Sequence, residues 1–473
     1  MVTDIGPSTI ETVAAAESTR YPFQRKGFYA KGYHFEFYYA SSKIYWRSSA
    51  DGITWGSATD ITPSGETPTE GAEIAVWLDR HEEPAHHPYI VYADHDTDSP
   101  VYFRRATIDD AGALTWDAVW QTAVALAVGV SYRNLTICVD DTNGYPFIGY
   151  IQTIRADPSS DSRPRVTHSQ QMDGTWSTFS GFPKILNANN DESWVCVVVP
   201  YHGVYVMAVY ARDSNEIKYD IYNITGDSWA GEAASGVTMG SDATKMSVTS
   251  QRPGAVATLD PKRVHVAFCY TDENLNHISI DEGGVTGPTL IYSSTIAMGP
   301  SISTRIYGGD VNNYRTLYVF WTPITDAPTA NYVCYKKSID AGANWTKENG
   351  SVGVELWIDE TGAGLSGANI ASSYFEEQHH FKVTGGVSLP ESYIGVAYTN
   401  GGASPDYVRW AGLEFADPDE DLLGKFDVGQ DSEDLLGKFE AQDIADLLGK
   451  FDVGQDSEDL LGRFEAQGIA DLL

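Results

Sequence analysis

A pair of strand-like segments recurs seven times between Phe37 and Val396, and any fold for this chain has to accommodate that repeat. The first member is an apolar, aromatic-rich run: FEFYYA, PYIVYAD, PFIGYIQ, VYVMAVYA, VHVAFCYT, LYVFWTP and YIGVAYT, centred near Phe37, Val91, Ile148, Val206, Val266, Val319 and Val396. The second follows after a short gap and ends in polar residues: KIYWRSS, PVYFRRAT, RPRVTHSQ, EIKYDIYN, LNHISID, NYVCYKKS and DYVRWAGLE. Successive centres lie 54, 57, 58, 60, 53 and 77 residues apart. A period of that size carrying several short strands points to a ring of sheet blades, because one unit alone cannot bury both faces of its sheet.

The expected fold is therefore all-β, a seven-bladed β-propeller of four-stranded blades, with six blades as the alternative if the first and last units merge. Residues alternate with period two, and Gly, Asn, Asp and Pro clusters punctuate them as turns. Each unit has an inner strand such as AEIAVW, LTICVD or SWVCVVV, then the two repeated strands, then an outer strand entered through a Trp. The blades are placed at 20–62, 70–125, 130–186, 190–235, 243–293, 298–358 and 366–415, within a propeller domain of 20–415. The last unit lacks an obvious outer strand. Residues 9–13 of the N-terminal segment 1–19 are expected to supply it, closing the ring and removing its exposed edges.

A different repeat begins after Phe415. DLL recurs at Asp421, Asp434, Asp446, Asp459 and Asp471, which makes a 25-residue unit of DLLGKFDVGQDSE followed by DLLGKFEAQDIA. Residues 416–473 contain 17 acidic and 4 basic side chains. Leu422, Gly424, Phe426 and Val428 suit one face of a strand, whereas Ser432 before EDLL suits a helix N-cap; the Gly in each DLLGKF weakens a long helix and favours short strand-turn units. Such units bury little alone, so the tail is expected to associate with itself or with other subunits.

Charge and cysteine usage narrow the function classes. Against 65 Asp and Glu stand 31 Lys and Arg, a net charge of −34 that opposes binding to nucleic acid or an anionic membrane. No apolar stretch approaches a membrane span, and the N-terminus lacks the basic start and apolar core of a secretory signal. Cys138, Cys196, Cys269 and Cys334 sit in apolar strand-like runs of four different units without CxxC spacing, which reads as buried free thiols.

The most specific local motif is SIDAGANW at 338–345, an S-x-D-x-G-x-x-W pattern formed by Ser338, Asp340, Gly342 and Trp345. SADGITW at 49–55 is one residue shorter and uses Ser49, Asp51, Gly52 and Trp55; looser echoes end at Trp116, Trp176 and Trp229. Asp accepts hydrogen bonds from turn amides, Gly permits positive φ and Trp packs the hairpin on its blade, so these carboxylates are read as structural. With these turns, YPFQRKGFYA at 21–30, YIGVAYT and YVRWAGLEF, the chain resembles the BNR/Asp-box, sialidase-like propellers over about 20–415. It is more similar to their non-catalytic-looking environmental, archaeal and viral relatives, some of which carry DLLGKF-type tails.

The resemblance implies a rigid ring that recognises a glycan or surface polymer, without catalytic residues, at a virion or tail-fibre-like or extracellular surface reached without a classical signal; a cytoplasmic location is the alternative. A structural decoration or assembly subunit is the second reading, and a sialidase-like glycoside hydrolase the third. A sialidase would need an arginine cluster for the substrate carboxylate, a Tyr and Glu pair and an acid/base Asp; Arg20 precedes YPF rather than sitting in the family's arginine motif. Arg80, Arg133, Arg252 and Arg305, with Glu73, Asp79 and Tyr374, are the residues available to converge on a ligand. No cofactor is expected except Ca²⁺, for which Asp94, Asp96 and Asp98 in ADHDTDS alternate in a spacing that can aim oxygens at a hard cation, although the rest of an EF-hand loop is missing. HEEPAHH (His81 to His87) and EEQHH (Glu376 to His380) are read as acidic or basic surface.

Overall fold

The seven apolar runs are the second strands of seven antiparallel sheets, and they are apolar throughout because a neighbouring blade covers each of their faces. Tyr33–Ala40, His87–Ala93 and Tyr205–Ala211 are buried almost without interruption, while the third strands Lys43–Ser49 and Val101–Ile108 alternate between buried and half-exposed positions. Period-two alternation therefore belongs to the third strands, which reach the rim, and not to the second. The computed structural model describes residues 2–415 except 14–17, 20, 70–71, 80–86, 95–98, 118, 141, 155–161, 188–194, 202, 212–215, 240–245, 251–262, 271–273, 294–298, 306–315, 323–331, 361–368, 371–373, 376–391 and 401–405. The DLL repeat at 416–473 lies outside the described residues.

From axis to rim, blade 1 is Gly27–Ala30, Tyr33–Ala40, Lys43–Ser49 and Thr59–Asp60. Blade 2 is Glu73–Asp79, His87–Ala93, Val101–Ile108 and an outer position shared by Leu114–Trp116 and Gln121–Val124. Blade 3 is Val130–Val139, Pro146–Ile154, Ser162–His168 and Lys184–Ile185. Blade 4 is Val195–Tyr201, Tyr205–Ala211, Glu216–Asn223 and, on its outer side, Ser228–Trp229 and Ala233–Thr238. Blade 5 is Met246–Ser250, Val264–Tyr270, Asn274–Asp281 and Gly284–Ser293; blade 6 is Ser301–Arg305, Thr316–Trp321, Tyr332–Ser338 and Glu355–Asp359. Blade 7 takes Asn369–Ile370 and Tyr374–Phe375 inside, then Ser392–Asn400 and Asp406–Phe415, and its outer strand is Val2–Val13. Seven blades are thus present, with the first complete and the last closed by the N-terminus.

Buried side chains bridge every adjacent pair of blades: Phe37 with Ile74, Val91 with Ile148 and Tyr210, Val209 with Val266, Cys269 with Leu317, Phe320 with Val396, and Trp410 back to Tyr38. All four cysteines are free and buried in these seams, as the sequence implied. Burial pushes the Cys196 and Cys334 thiols up to about 12, so neither is a nucleophile at neutral pH.

The loops that lead into the inner strands share one face of the ring, here the upper face, and the turns between third and fourth strands lie on the lower face, because consecutive antiparallel strands alternate in direction. In the lower turn of blade 6, Asp340 accepts from Ser338 Oγ at 2.7 Å and from the Asn344 amide at 2.8 Å, and Gly342 N donates to Ser338 Oγ at 2.8 Å. In blade 1, Asp51 accepts from Ser49 Oγ and the Ile53 and Thr54 amides at 2.7 to 2.9 Å, and the amides of Thr54 and Ile53 hold its carboxyl down to about 2. Asp109 and Asp173 accept from turn amides in blades 2 and 3, whereas in blade 4 Asn223 takes that part and Asp227 accepts from the Tyr222 hydroxyl instead.

The glycines of these turns do more than turn the chain. Gly52 of blade 1 has φ +66° and lies against Trp410 of blade 7; Gly342 of blade 6 has φ +92° and lies against the His277 ring of blade 5. In the same way the Gly112 turn abuts Tyr33 and the Gly174 turn abuts Asp117 and Arg105. Each turn therefore docks on the preceding blade, and the missing Cβ is what lets it approach.

His277 carries that contact deeper into blade 5. Its Nε2 lies 3.0 Å from Nδ1 of His265, both rings are buried, and Trp345 packs edge-on at 5.4 Å. Burial, reinforced by Arg263, holds the His277 ring down to about 3; burial, then His277 and Arg263, holds His265 well below the usual value. Unfolded rings take up protons below about pH 6.5 while these folded rings do not, so stability is complete above that pH and is lost as pH falls, by about 1.4 kcal/mol per pH unit for each ring. Burial gives His34 (down to about 3) and His168 (down to about 4) the same sense. Urea unfolding at pH 8.5, 7.5 and 5.5 is expected to show nearly equal stability at the first two and a clear drop at the third; a flat profile would mean that the rings are protonated within the fold.

Candidate functional site

The inner strands of blades 2 to 5 face the segment 21–26. Beyond Val2–Val13, Thr19 Oγ1 meets Thr399 Oγ1 at 2.7 Å on the upper face, and residues 21–26 lead into the blade 1 inner strand. Phe23, stacked on Tyr21 at 5.1 Å, is buried among Val197, Val199 and Val248. Arg25 accepts the Val76 amide on its backbone oxygen at 2.9 Å and lays its guanidinium over the Trp77 ring at 4.3 Å. The space left between these groups and Ala75, Thr136, Ile137 and Val198 is ≈10 Å³, room for about one water.

The polar groups beside this segment hold it in place. Gln24 donates to Glu73, and Lys26 donates to Gln24 Oε1 at 2.8 Å and to the Ile74 carbonyl. Glu36 lies over Gly27, the position where a Cβ would collide with its carboxyl, and neither of its oxygens has a hydrogen-bond partner among the described residues. Burial pushes that carboxyl well above its ordinary value, against the pull of Lys26. A neutral acid of this kind is tolerated where an ionised one would not be.

The residues singled out from sequence are spread over the ring. Glu73 and Asp79 begin and end one seven-residue inner strand, about 20 Å apart at ~3.3 Å per residue, on opposite faces. Arg133 is half-buried near the start of the blade 3 inner strand, beside a bulge at Asn134 (φ 55°), while Arg305 is the last residue of the blade 6 inner strand. Tyr374 begins a short strand of blade 7. Arg80 and Arg252 lie outside the described residues, as do Asp96, Asp98, His81 and the EEQHH segment. Asp94 is buried and accepts from both the Thr69 amide, at 2.9 Å, and Thr69 Oγ1, at 2.7 Å, tying two upper-face loops together. Among the described residues no group of three His, Cys, Asp or Glu is placed to hold a metal. His87 is likewise structural, with Nδ1 3.1 Å from the Ala106 carbonyl.

A site that the sequence did not indicate lies at the rim, on the lower side of the seam between blades 6 and 7. A groove of ≈350 Å³ is lined by Val2 and Asp4 of the closing strand, Tyr335, the turn residues Glu348 and Asn349, and Glu355, Leu356 and Trp357 of the blade 6 outer strand. That volume is at the lower end of the range for small-molecule sites. Trp357 donates from Nε1 to Asp4 Oδ1 at 3.0 Å, and its ring stands at 89° to Tyr335 with centroids 5.8 Å apart, so the indole is fixed while one side faces the groove. Tyr335 is 3% exposed and its hydroxyl has no hydrogen bond among the described residues. Burial, with Glu348, Glu355 and Asp4 nearby, raises its phenol far above the usual range, so it remains a donor at any working pH. Glu348 accepts from Lys337 Nζ at 2.7 Å and Tyr318 at 3.2 Å; Asn349 Oδ1 accepts from Ser351, leaving its amide nitrogen. Glu355 has neither a hydrogen bond nor an ion pair among the described residues.

No protein-family model matches the chain, and no curated protein matches it. Among solved structures the chain is similar to an ulvan lyase from a polysaccharide lyase family, at 11% identity over 85% of this chain and 95% of the other, with a TM-score of 0.48. It is similar to an α-L-arabinanase of Penicillium chrysogenum complexed with arabinobiose, at 13% identity over 68% and 94%, with a TM-score of 0.43. An Aleuria aurantia lectin variant in complex with Fucα1-6GlcNAc is 11% identical over 72% and 97%, with a TM-score of 0.40. At these identities and scores the likenesses carry no argument about ligand or reaction, and the seven-bladed ring stands on its own sheet topology.

Proposed function

We propose that the ring is a non-catalytic recognition module that binds a glycan or glycan-like surface polymer in the groove between blades 6 and 7. The observation that carries this reading is the grouping of Trp357 and Tyr335 with Asp4, Asn349 and Glu355 around one open cavity. A sugar ring offers C–H faces to an indole and hydroxyls to carboxylates, an amide and a phenol, and this wall supplies each of those partners. The packing of 21–26 against the inner strands of blades 2 to 5 supports the non-catalytic part. Phe23 and Arg25 occupy the space between the inner strands of blades 2 to 5, and Gln24 is bonded to one oxygen of Glu73. Sequence reasoning put recognition on the central face; on this reading it sits at the rim.

Glycan-array binding by the full chain, followed by calorimetry on the best ligand, tests the proposal. Trp357→Ala is expected to weaken binding at least about 10-fold while the chain stays folded at the assay temperature, since stacking of this kind contributes ~1 kcal/mol or more; the half-exposed ring also gives up its bond to Asp4, so the unfolding midpoint falls and is measured alongside. Release of reducing sugar, or full affinity in the Trp357 variant, would overturn it.

A further inference from the structure

Resting on that reading, we infer that the groove is selective for an amino sugar with a free ammonium group over neutral and carboxylated sugars. The charge of its wall is the reason. Three acidic side chains, Asp4, Glu348 and Glu355, line the cavity, and the cation bonded to any of them among the described residues is Lys337, on Glu348. Asp4 is partly engaged by the Trp357 N–H, but Glu355, two residues from Trp357 on the same strand, has no partner among the described residues, so the groove presents unbalanced negative charge beside an aromatic platform.

Two features separate this from a solvated acidic patch. Tyr335 is 3% exposed, lines the cavity and has no hydrogen bond to its hydroxyl among the described residues, so a ligand atom has a donor to meet. The Trp357 ring is anchored by its own hydrogen bond and by edge contact with Tyr335, so it is a preformed surface rather than a mobile one. An ammonium substituent on a pyranose stacked against that indole comes within reach of Glu355 or Asp4 as a charge-assisted donor, and attraction to the indole face adds to it. A uronic or sialic acid brings its carboxylate against the same acids and is repelled. An N-acetylated sugar keeps the stacking and hydroxyl bonds but loses the charge.

The experiment is calorimetry of the full chain with three oligosaccharide probes: tetramers of glucosamine, of N-acetylglucosamine and of galacturonic acid, at 20 and 200 mM salt. The glucosamine tetramer is expected to bind about 10-fold more tightly than its acetylated counterpart at low salt, with the gap narrowing at high salt, and the galacturonic acid tetramer not measurably. Glu355→Gln, a rim substitution with no bond to break, is expected to bring the two glucosamine series to similar affinity, and Trp357→Ala to remove both. Equal binding of acetylated and free-amine tetramers by the unaltered chain, both lost in Trp357→Ala, would overturn the selectivity and leave the recognition reading standing. Binding of the galacturonic acid tetramer equal to that of the glucosamine tetramer would also overturn it. Sugar binding untouched by Trp357→Ala would remove both.

Discussion

A chain lacking residues 2–13 is expected to lose its stable monomeric fold. Val2–Val13 runs antiparallel to Asp406–Phe415 along its whole length, from Val2 opposite Phe415 to Val13 opposite Asp406. Ile10 and Val13 are buried with Tyr38, Tyr393 and Trp410, and burial of two such side chains alone contributes about 3 to 6 kcal/mol. The strand also carries the polar links that hold blade 7 to both neighbours. Ser8 Oγ donates to the Gly52 carbonyl at 2.7 Å and accepts from Trp55 Nε1 at 2.9 Å; Glu11 pairs with Arg47 and accepts from the Tyr38 hydroxyl; Asp4 accepts from Trp357. Against a total stability of about 5 to 15 kcal/mol, losing these together leaves little folded chain. The Asp406–Phe415 strand would become an open edge, a template for pairing with another copy. Light scattering should find aggregates or strand-exchanged oligomers, and a synthetic peptide of residues 1–13 added in trans should restore a monomer. A truncated chain that stays monomeric with its thermal midpoint unchanged would show that the closing strand is dispensable. Ile10→Ala, which keeps the strand, is expected to lose about 2 to 4 kcal/mol and separates packing from closure.

What sequence made legible follows from which contacts are local. The second strands announced themselves because burial on both faces demands an unbroken apolar run, so FEFYYA and VYVMAVYA stand out without any partner in view. The closing strand was visible only at 9–13, although it begins at Val2. In the fold, register shifts between Ile5 and Ser8 and between Thr9 and Glu11 carry the strand past Gly6 and Pro7, and a Pro is acceptable at the outer edge where its missing N–H is not needed. The groove at the rim was invisible for a different reason: Asp4 and Trp357 are 353 residues apart and meet only when the ring closes. A Trp in the outer strand ELWID was the one local signal. The segment 21–26 is a similar case. YPFQRK was conspicuous, but its position depends on the inner strands of blades 2 to 5. Asp94 shows a contact that sequence could not give: alternate acids suggested a cation, Asp96 and Asp98 lie outside the described residues, and the Asp94 carboxylate accepts from Thr69, a residue 25 positions earlier.

Replacing Gly342 by Ala should be among the most damaging single-methyl changes in the described ring, and Gly350 in the same lower turn supplies its control. Both have positive φ, +92° and +81°, so each alanine pays a backbone penalty of about 1 to 2 kcal/mol. At Gly350 a Cβ meets nothing within 4 Å and that penalty is the whole effect. At Gly342 the new methyl overlaps the His277 ring. That ring cannot move aside, because it is buried, bonded to His265 at 3.0 Å and packed on Trp345. Overpacking of this kind adds about 1 to 3 kcal/mol, so Gly342→Ala is expected to lose about 3 kcal/mol or more and Gly350→Ala about half of that or less. Denaturant midpoints of the two variants and of His277→Ala with Gly342→Ala measure the difference directly. If the turn glycine serves only to allow positive φ, the two alanines will lose the same amount. If it serves to let each blade seat on the one before it, the excess at Gly342 will shrink when His277 is truncated, a coupling between residues 65 positions apart that belongs to the seam and not to the turn.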